Sequence, residues 1–448
     1  GKPVDELWTN LGPEVINISY TGSRSIIHRV IQIDFSSISA FLTGFSTYPQ
    51  PLRLRLRIFT IFFLYKQTHQ TVRKGELSTI MKLVFDKADL VKSVGIAMKA
   101  VSGKTTMPIL ECILIDASSN VIKFTSNDME LGIETIVTGM ILERGIVALD
   151  AKIFSEIVRK LPDNQVTIET DENLVTTITC EKAKFNIPGQ SGEDFSYLPI
   201  LETSDCVSIS QFTLKELIRQ TIFSIAANEN NKLMTGELFE IKDNTLRVVS
   251  LDGHRIAIRR IELKDSYPDR KVVVPGKTLN EISKILSGEM DDQIDIYFSE
   301  NHIMFKFDDT TVVSRLIDGE YFRIDQMLSS DYETKVTINK KEFLSCIDRA
   351  TLLVKEGDKK PIIIDIQDGA MELQINSAMG SMKEEIDIQK EGKDILIGFN
   401  PKFLIDALRV IDDENITIYM VNPKAPCYIR DDEQKYIYLI LPVNFNVY

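Results

Sequence analysis

The chain has 448 residues, 44% apolar and 26% charged, with a formal net charge of −13 at pH 7, which describes a globular protein too long for one ordinary core and predicts two to four domains. No run approaches the roughly 20 apolar residues that a membrane helix needs, and four histidines in the whole chain argue against a histidine-rich metal site. The five cysteines (Cys112, Cys180, Cys206, Cys346 and Cys427) form no CxxC pair and no zinc spacing, so they predict reduced, buried thiols in a cytoplasmic protein with no metal or cofactor.

Residues 1–80 differ from the rest of the chain. They hold 9 Lys/Arg against 5 Asp/Glu, the only tryptophan, Trp8, and the stretch RLRLRIFTIFFLYK, without sustained periodicity. They read as an extension upstream of a start at Met81, disordered or non-native, with Gly1 resembling a tag scar. Residues 81–448 carry 43 Lys/Arg against 60 Asp/Glu. So acidic a body repels a polyanion unless its basic residues are gathered on one surface.

From Met81 onward one pattern recurs. FDKADLVKSV (85–94), ISQFTLKELI (209–218) and INKKEFLSCI (338–347) each read as a strand end, a polar start and an amphipathic helix. A second pattern lies between them: VALDAKIFSEIV (147–158), VVVPGKTLNEIS (272–283) and IGFNPKFLIDAL (397–408). After each helix come alternating runs such as QVTIET, QIDIYF and NITIYM, as half-buried antiparallel strands do. The spacing predicts three tandem domains, 81–204, 205–330 and 331–448, each of two strand–helix–strands halves. The expected class is α+β, with helices on one face and antiparallel sheets on the other.

The second helices carry Lys152, Glu156 and Arg159; Lys277, Glu281 and Lys284; and Lys402, Asp406 and Arg409. Positions i, i+4 and i+7 share a helix face. One such helix reads as a solvated face with ion pairs. Three copies in an acidic body read as a shared basic surface. In SLDGHRIAIRR (250–260), Asp252 and His254 lie two apart, a spacing compatible with an acid–base pair. No GxSxG elbow, P-loop or HExxH accompanies them, so a hydrolase reading has little else behind it.

Residues 81–448 resemble the bacterial DNA polymerase III beta subunit, the sliding clamp. The resemblance rests on MPILECILI (107–115), SLDGHRIAI (250–258), RLIDGEY (315–321), YLILPV (438–443) and the threefold repeat. It implies a head-to-tail dimeric ring, helices inside and sheets outside, that encloses double-stranded DNA without sequence preference and without catalysis. It also implies a cleft for short peptides from the polymerase III alpha subunit, the clamp loader and other proteins with a clamp-binding motif. Candidate DNA contacts are Lys152, Arg159, Lys277, Lys284, Lys402 and Arg409 by repeat position, Lys104 by the resemblance, and Lys99 beside it. The resemblance places Met234, Leu251, Gly253, His254, Arg255, Ile256, Phe322, Met327, Ile440, Leu441, Pro442 and Val443 in the cleft, with His254 and Arg255 as orienting donors. Phe322 departs from the family, which has proline there, so the cleft rim is expected to differ. Phe195 and Leu198 are expected to meet Leu352 and Leu353 of a second copy. The competing class is a repeat-built peptide-binding scaffold with no DNA role.

Overall fold

The computed structural model describes residues 81–103, 105–201, 206–227, 231–354 and 360–445. The expectations for residues 1–80 and for Lys104 lie outside the described residues.

Among the described residues six α-helices form over apolar stripes, five of them behind a side-chain cap. They are α1 (Lys87–Ala97), α2 (Ala151–Lys160), α3 (Gln211–Thr221), α4 (Gly276–Ile285), α5 (Lys340–Thr351) and α6 (Pro401–Val410). The side chains of Asp86, Asp150, Ser210, Asn339 and Asn400 accept from first-turn N–H groups of five of them, meeting donors the helix cannot satisfy itself. The sixth, α4, starts after Pro275 without a side-chain cap. Its Gly276 lies so close to Ile225 that a Cβ there would stand 2.4 Å from Ile225 Cδ1. A Cβ there would also stand 2.9 Å from the Thr235 carbonyl oxygen, which favours glycine.

The strands alternate as the sequence pattern requires. In Gln165–Thr170, Val166, Ile168 and Thr170 are buried while the residues between them are not. Each helix pair packs over its own apolar core. One core joins Phe85, Phe124 and Phe154, in edge-to-face contact at 6.0 and 6.2 Å, with α1 and α2. A second gathers Leu214, Leu217, Ile218, Leu279 and Ile282 from α3 and α4. The third gathers Phe343, Ile347, Leu404 and Leu408 from α5 and α6. The fold is therefore three repeats of α+β structure, helices on one side of antiparallel sheets.

Among the described residues there are three sheets of 13, 7 and 4 strands; the first two connect repeats and the third lies within the third repeat. Strand Leu131–Val137 of the first repeat pairs with Thr310–Arg315 of the second. Across that seam the buried hydroxyls of Thr135 and Thr310 lie 2.9 Å apart. The start of strand Arg255–Pro275 pairs with Tyr436–Ile440 of the third repeat. Leu131, Arg255 and Gly380 open equivalent strands one repeat apart. The outer edge of Gly380–Asp387 has no partner strand among the described residues, and Ala183–Gln190 uses its own outer edge only at Gly189 and Gln190. One equivalent pair of edges is thus left open, one in the first repeat and one in the third.

Four of the five thiols are buried. Burial pushes Cys112 up to about 11 and Cys346 and Cys427 up to about 12, so all three stay protonated at neutral pH.

Glu237, at the start of strand Gly236–Leu251, is fully enclosed, and neither carboxylate oxygen meets a hydrogen-bond donor at bonding geometry. Desolvation holds its carboxyl well above the usual carboxylate range. The folded state thus keeps a proton that the unfolded chain releases above about pH 4.3, and stability falls as pH rises from there. We predict that Glu237→Gln is nearly neutral below pH 4. Above it, the variant gains over the parent chain by up to about 1.4 kcal/mol per pH unit until the folded carboxyl ionises, as read by denaturant titration between pH 4 and 8.

Candidate functional site

The helix layer concentrates positive charge. The six helices contain 14 Lys/Arg and 7 Asp/Glu, although residues 81–448 as a whole are strongly acidic. Basic residues outnumber acidic ones in every helix. Lys152, Arg159, Lys277, Lys284, Lys402 and Arg409 are all exposed. Four of them pair: Arg159 with Glu156 at 2.5 Å, Lys284 with Glu281 at 2.7 Å, Arg409 with Asp348 at 3.4 Å, and Lys277 with Asp128 of the first repeat. Lys152 and Lys402 form no ion pair with a described residue. Lys99 sits in the 3-10 turn after α1, half-buried. Lys160, exposed beside Arg159, extends the set, and the sequence pattern did not single it out because it falls outside the i, i+4, i+7 register.

Lys152, Lys277 and Lys402 each occupy the second position of their helix. There the free N–H groups and the helix dipole disfavour a cation. Helix stability therefore does not account for three lysines at that place. For Lys277 the Asp128 carboxylate compensates; Lys152 and Lys402 pair with no described residue.

The Asp252–Arg255 turn is built for shape. Gly253 adopts φ +87° with open space around it. One Asp252 carboxylate oxygen accepts from the backbone N–H of His254 at 2.9 Å and of Arg255 at 3.1 Å, and the other from Arg255 Nε at 3.0 Å. The acid–base pairing of Asp252 with His254 is thus replaced by a turn cap. His254 is exposed and stacks on Phe403 of α6, ring centroids 6.0 Å apart. Its carbonyl accepts from Leu441 N–H at 2.9 Å, tying the C-terminal strand to the turn.

Arg255 differs from expectation. It is only 7% exposed, and it donates to Asp252, to Asp406 of α6 at 2.7 Å and to the Phe223 carbonyl at 2.6 Å. Its guanidinium also lies 4.5 Å from the Phe403 ring centroid and 5.4 Å from that of Phe223. Those three bonds face inward, so Arg255 pins the second repeat to the third.

The apolar residues expected in the cleft gather around Leu251 and Ile256, with Met234, Phe322 and Leu441 packed on the same cluster. Pro442 and Val443 come next, half-buried, and Val443 N–H is held by the Gly398 carbonyl at 2.9 Å. Met327 lies beside it, 44% exposed. Ile440 does not join them: it points into the core of the third repeat, while Leu439 and Leu441 face the cleft cluster. Strand alternation sends neighbours to opposite sides. Phe322 meets Tyr321 edge to face at 5.5 Å, making the rim aromatic where the resembled family has proline.

The four apolar residues expected between copies separate. Phe195 is 3% exposed, in a satellite core with Ile109, Leu110 and Leu114, so it is structural within its own repeat. Leu198 packs against Gly132, and Leu353 against the third core. Leu352 alone is open, at 74%. The exposed apolar residues on the open edges are instead Phe185 and, beside the other edge, Met379. No group of His, Cys, Asp and Glu among the described residues could hold a metal ion.

Comparison with known proteins agrees with this architecture. Models of the N-terminal, central and C-terminal domains of the DNA polymerase III beta subunit match residues 81–199, 208–322 and 325–444. The beta sliding clamp of Bacillus subtilis is 36% identical over 377 residues, covering 81% of this chain and 99% of that one. That of Staphylococcus epidermidis is 32% identical over 375 residues with the same coverage. A crystal structure provisionally assigned as a DNA polymerase III beta subunit, from Eubacterium rectale, superposes with a TM-score of 0.80 at 72% identity, covering 82% of this chain and all of that one. The Bacillus subtilis clamp structure gives 0.79 at 35%, with the same coverage. The chain belongs to the DNA polymerase III beta subunit family.

Removing Asp406 leaves the buried Arg255 charge short of one acceptor. Asp406→Ala is expected to cost on the order of 3 kcal/mol in denaturant titration, and to weaken binding of a short apolar peptide although Asp406 lies outside the cleft cluster.

Proposed function

We propose that the chain is a DNA sliding clamp. Two copies join head to tail into a ring that encloses double-stranded DNA, and the cleft of each copy tethers a polymerase or another replication protein by a short peptide. The observation that carries this reading is the trio Lys152, Lys277 and Lys402, set at helix N-termini in an acidic protein. Enclosure requires phosphate attraction that is weak and indifferent to sequence, which exposed lysines on one helix layer supply.

Ring closure rests on the open edges. The two internal seams pair equivalent strands, so a third seam of the same kind would join Gly380–Asp387 of one copy to Ala183–Gln190 of the other. Such a head-to-tail contact propagates into a filament unless the rotation closes it. The charges agree: Lys184 is exposed on one edge, Glu385 and Asp387 on the other, where Lys383 is held by Glu372. Phe185 and Leu352 supply apolar contact.

The role is mechanical, without a catalytic step. By family, the partners are the polymerase III alpha subunit and the clamp loader, and the place of action is the cytoplasm. No helix of the described residues is long and apolar enough to cross a membrane.

Two measurements test this. The parent chain, loaded by a clamp loader, stays on closed circular DNA and is lost when the circle is linearised; equal retention on both refutes enclosure. In the triple variant Lys152→Glu, Lys277→Glu, Lys402→Glu, loading falls and the salt dependence of DNA association flattens by about one log unit per phosphate contact removed. Unchanged loading makes the chain a peptide scaffold without a DNA role. Separately, Phe185→Asp with Leu352→Asp is expected to halve the molar mass in solution while leaving the circular dichroism spectrum unchanged.

A further inference from the structure

A cavity of about 550 Å³ opens beside the cleft, walled by Leu238, Val272, Ile317, Tyr321, Phe322 and Ile324. All of these but Val272 belong to the same apolar cluster as the cleft residues Leu251, Ile256, Met234 and Leu441. Gly319 lines the cavity too, and a Cβ placed on it would stand 3.3 Å from Leu233 Cδ2 of that cluster. The connection from Ile317 to Phe322 is therefore a wall shared by cleft and cavity. Phe322, the residue that departs from the family at the rim, stands in both.

The free charge of the cavity is acidic. Two of its three basic residues are occupied: Arg247 bonds to Glu240 and Asp325 at 2.5 and 2.6 Å, and Lys271 to Glu240 at 2.9 Å. Glu300, Asp318 and Glu320 also line it, are exposed, and pair with no described residue. Arg323 is the single cation there without a described partner.

We propose that this cavity takes a lysine or arginine side chain from the stretch of the partner polypeptide that flanks its apolar docking residues. The apolar walls suit the methylene stem, and the three carboxylates at the surface suit the charged head. A chain seated on Leu251 and Leu441 that crosses the rim at Phe322 reaches the cavity directly. The inference rests on the cleft reading above and adds the charge of the flank as a determinant of partner choice.

The test uses the full chain and fluorescent peptides whose centre carries leucine and phenylalanine, extended at either end by three lysines, three glutamates or a Gly-Ser spacer. In anisotropy titrations at low salt, one lysine extension should bind about three- to tenfold more tightly than the neutral one, and the glutamate extension more weakly. The variant Glu300→Gln, Asp318→Asn, Glu320→Gln should lose that gain and keep the affinity for the neutral peptide. A variant with the same charge change in the first repeat, Glu130→Gln, Glu143→Gln, Glu172→Gln, should retain it. Equal loss in both variants, or a gain that survives the first, overturns the inference and leaves the cleft intact. Failure of the neutral peptide to bind at all overturns the cleft reading itself.

Discussion

An antiparallel strand at the edge of a sheet exposes a row of N–H and C=O groups that must be paired, hydrated or covered. Here the repeats meet through such edges. Leu131–Val137 is completed by Thr310–Arg315, and Arg255–Arg259 by Tyr436–Ile440. These seams fix the orientation of one repeat against the next, because a ladder slipped by one residue would exchange buried and exposed faces. They also set the helices side by side. The grouping of basic residues is thus a consequence of strand pairing on the other side of the molecule.

The charge pattern makes sense on that frame. A strongly acidic body carries an excess of lysine and arginine in every helix. Several of those cations are held by neighbours of opposite sign, such as Lys284 by Glu281 and Lys277 by Asp128, which tempers their pull on phosphate. An attraction so diluted can hold a polyanion near the surface without fixing its position, while the acidic remainder discourages binding elsewhere.

Much of this was legible in the sequence, for identifiable reasons. Lys152, Lys277 and Lys402 revealed the repeat because each stands second in its helix, at a fixed offset from the apolar stripe. The cleft was legible only through resemblance, and imperfectly. The inward bonds of Arg255 were not legible because one partner, Asp406, lies 151 residues further on and no local pattern joins them. Ile440 and Phe195 were misplaced because in strands and tight turns a single position separates core from surface. Phe185 went unnoticed because it shares a strand face with Ile187, and alternation does not say where along that face the cover ends. The fold buries Ile187 and leaves Phe185 open at 40%.

The two internal seams join equivalent strands, and the two edges left over are equivalent again. A closed assembly built from such seams is indifferent to where its covalent chain is interrupted. Its diameter depends on the turn taken at each seam, and the number of polypeptides depends only on how many repeats a gene fuses together. In the proposed head-to-tail pair, fusing three repeats per chain leaves two seams where no peptide bond backs up the hydrogen bonds.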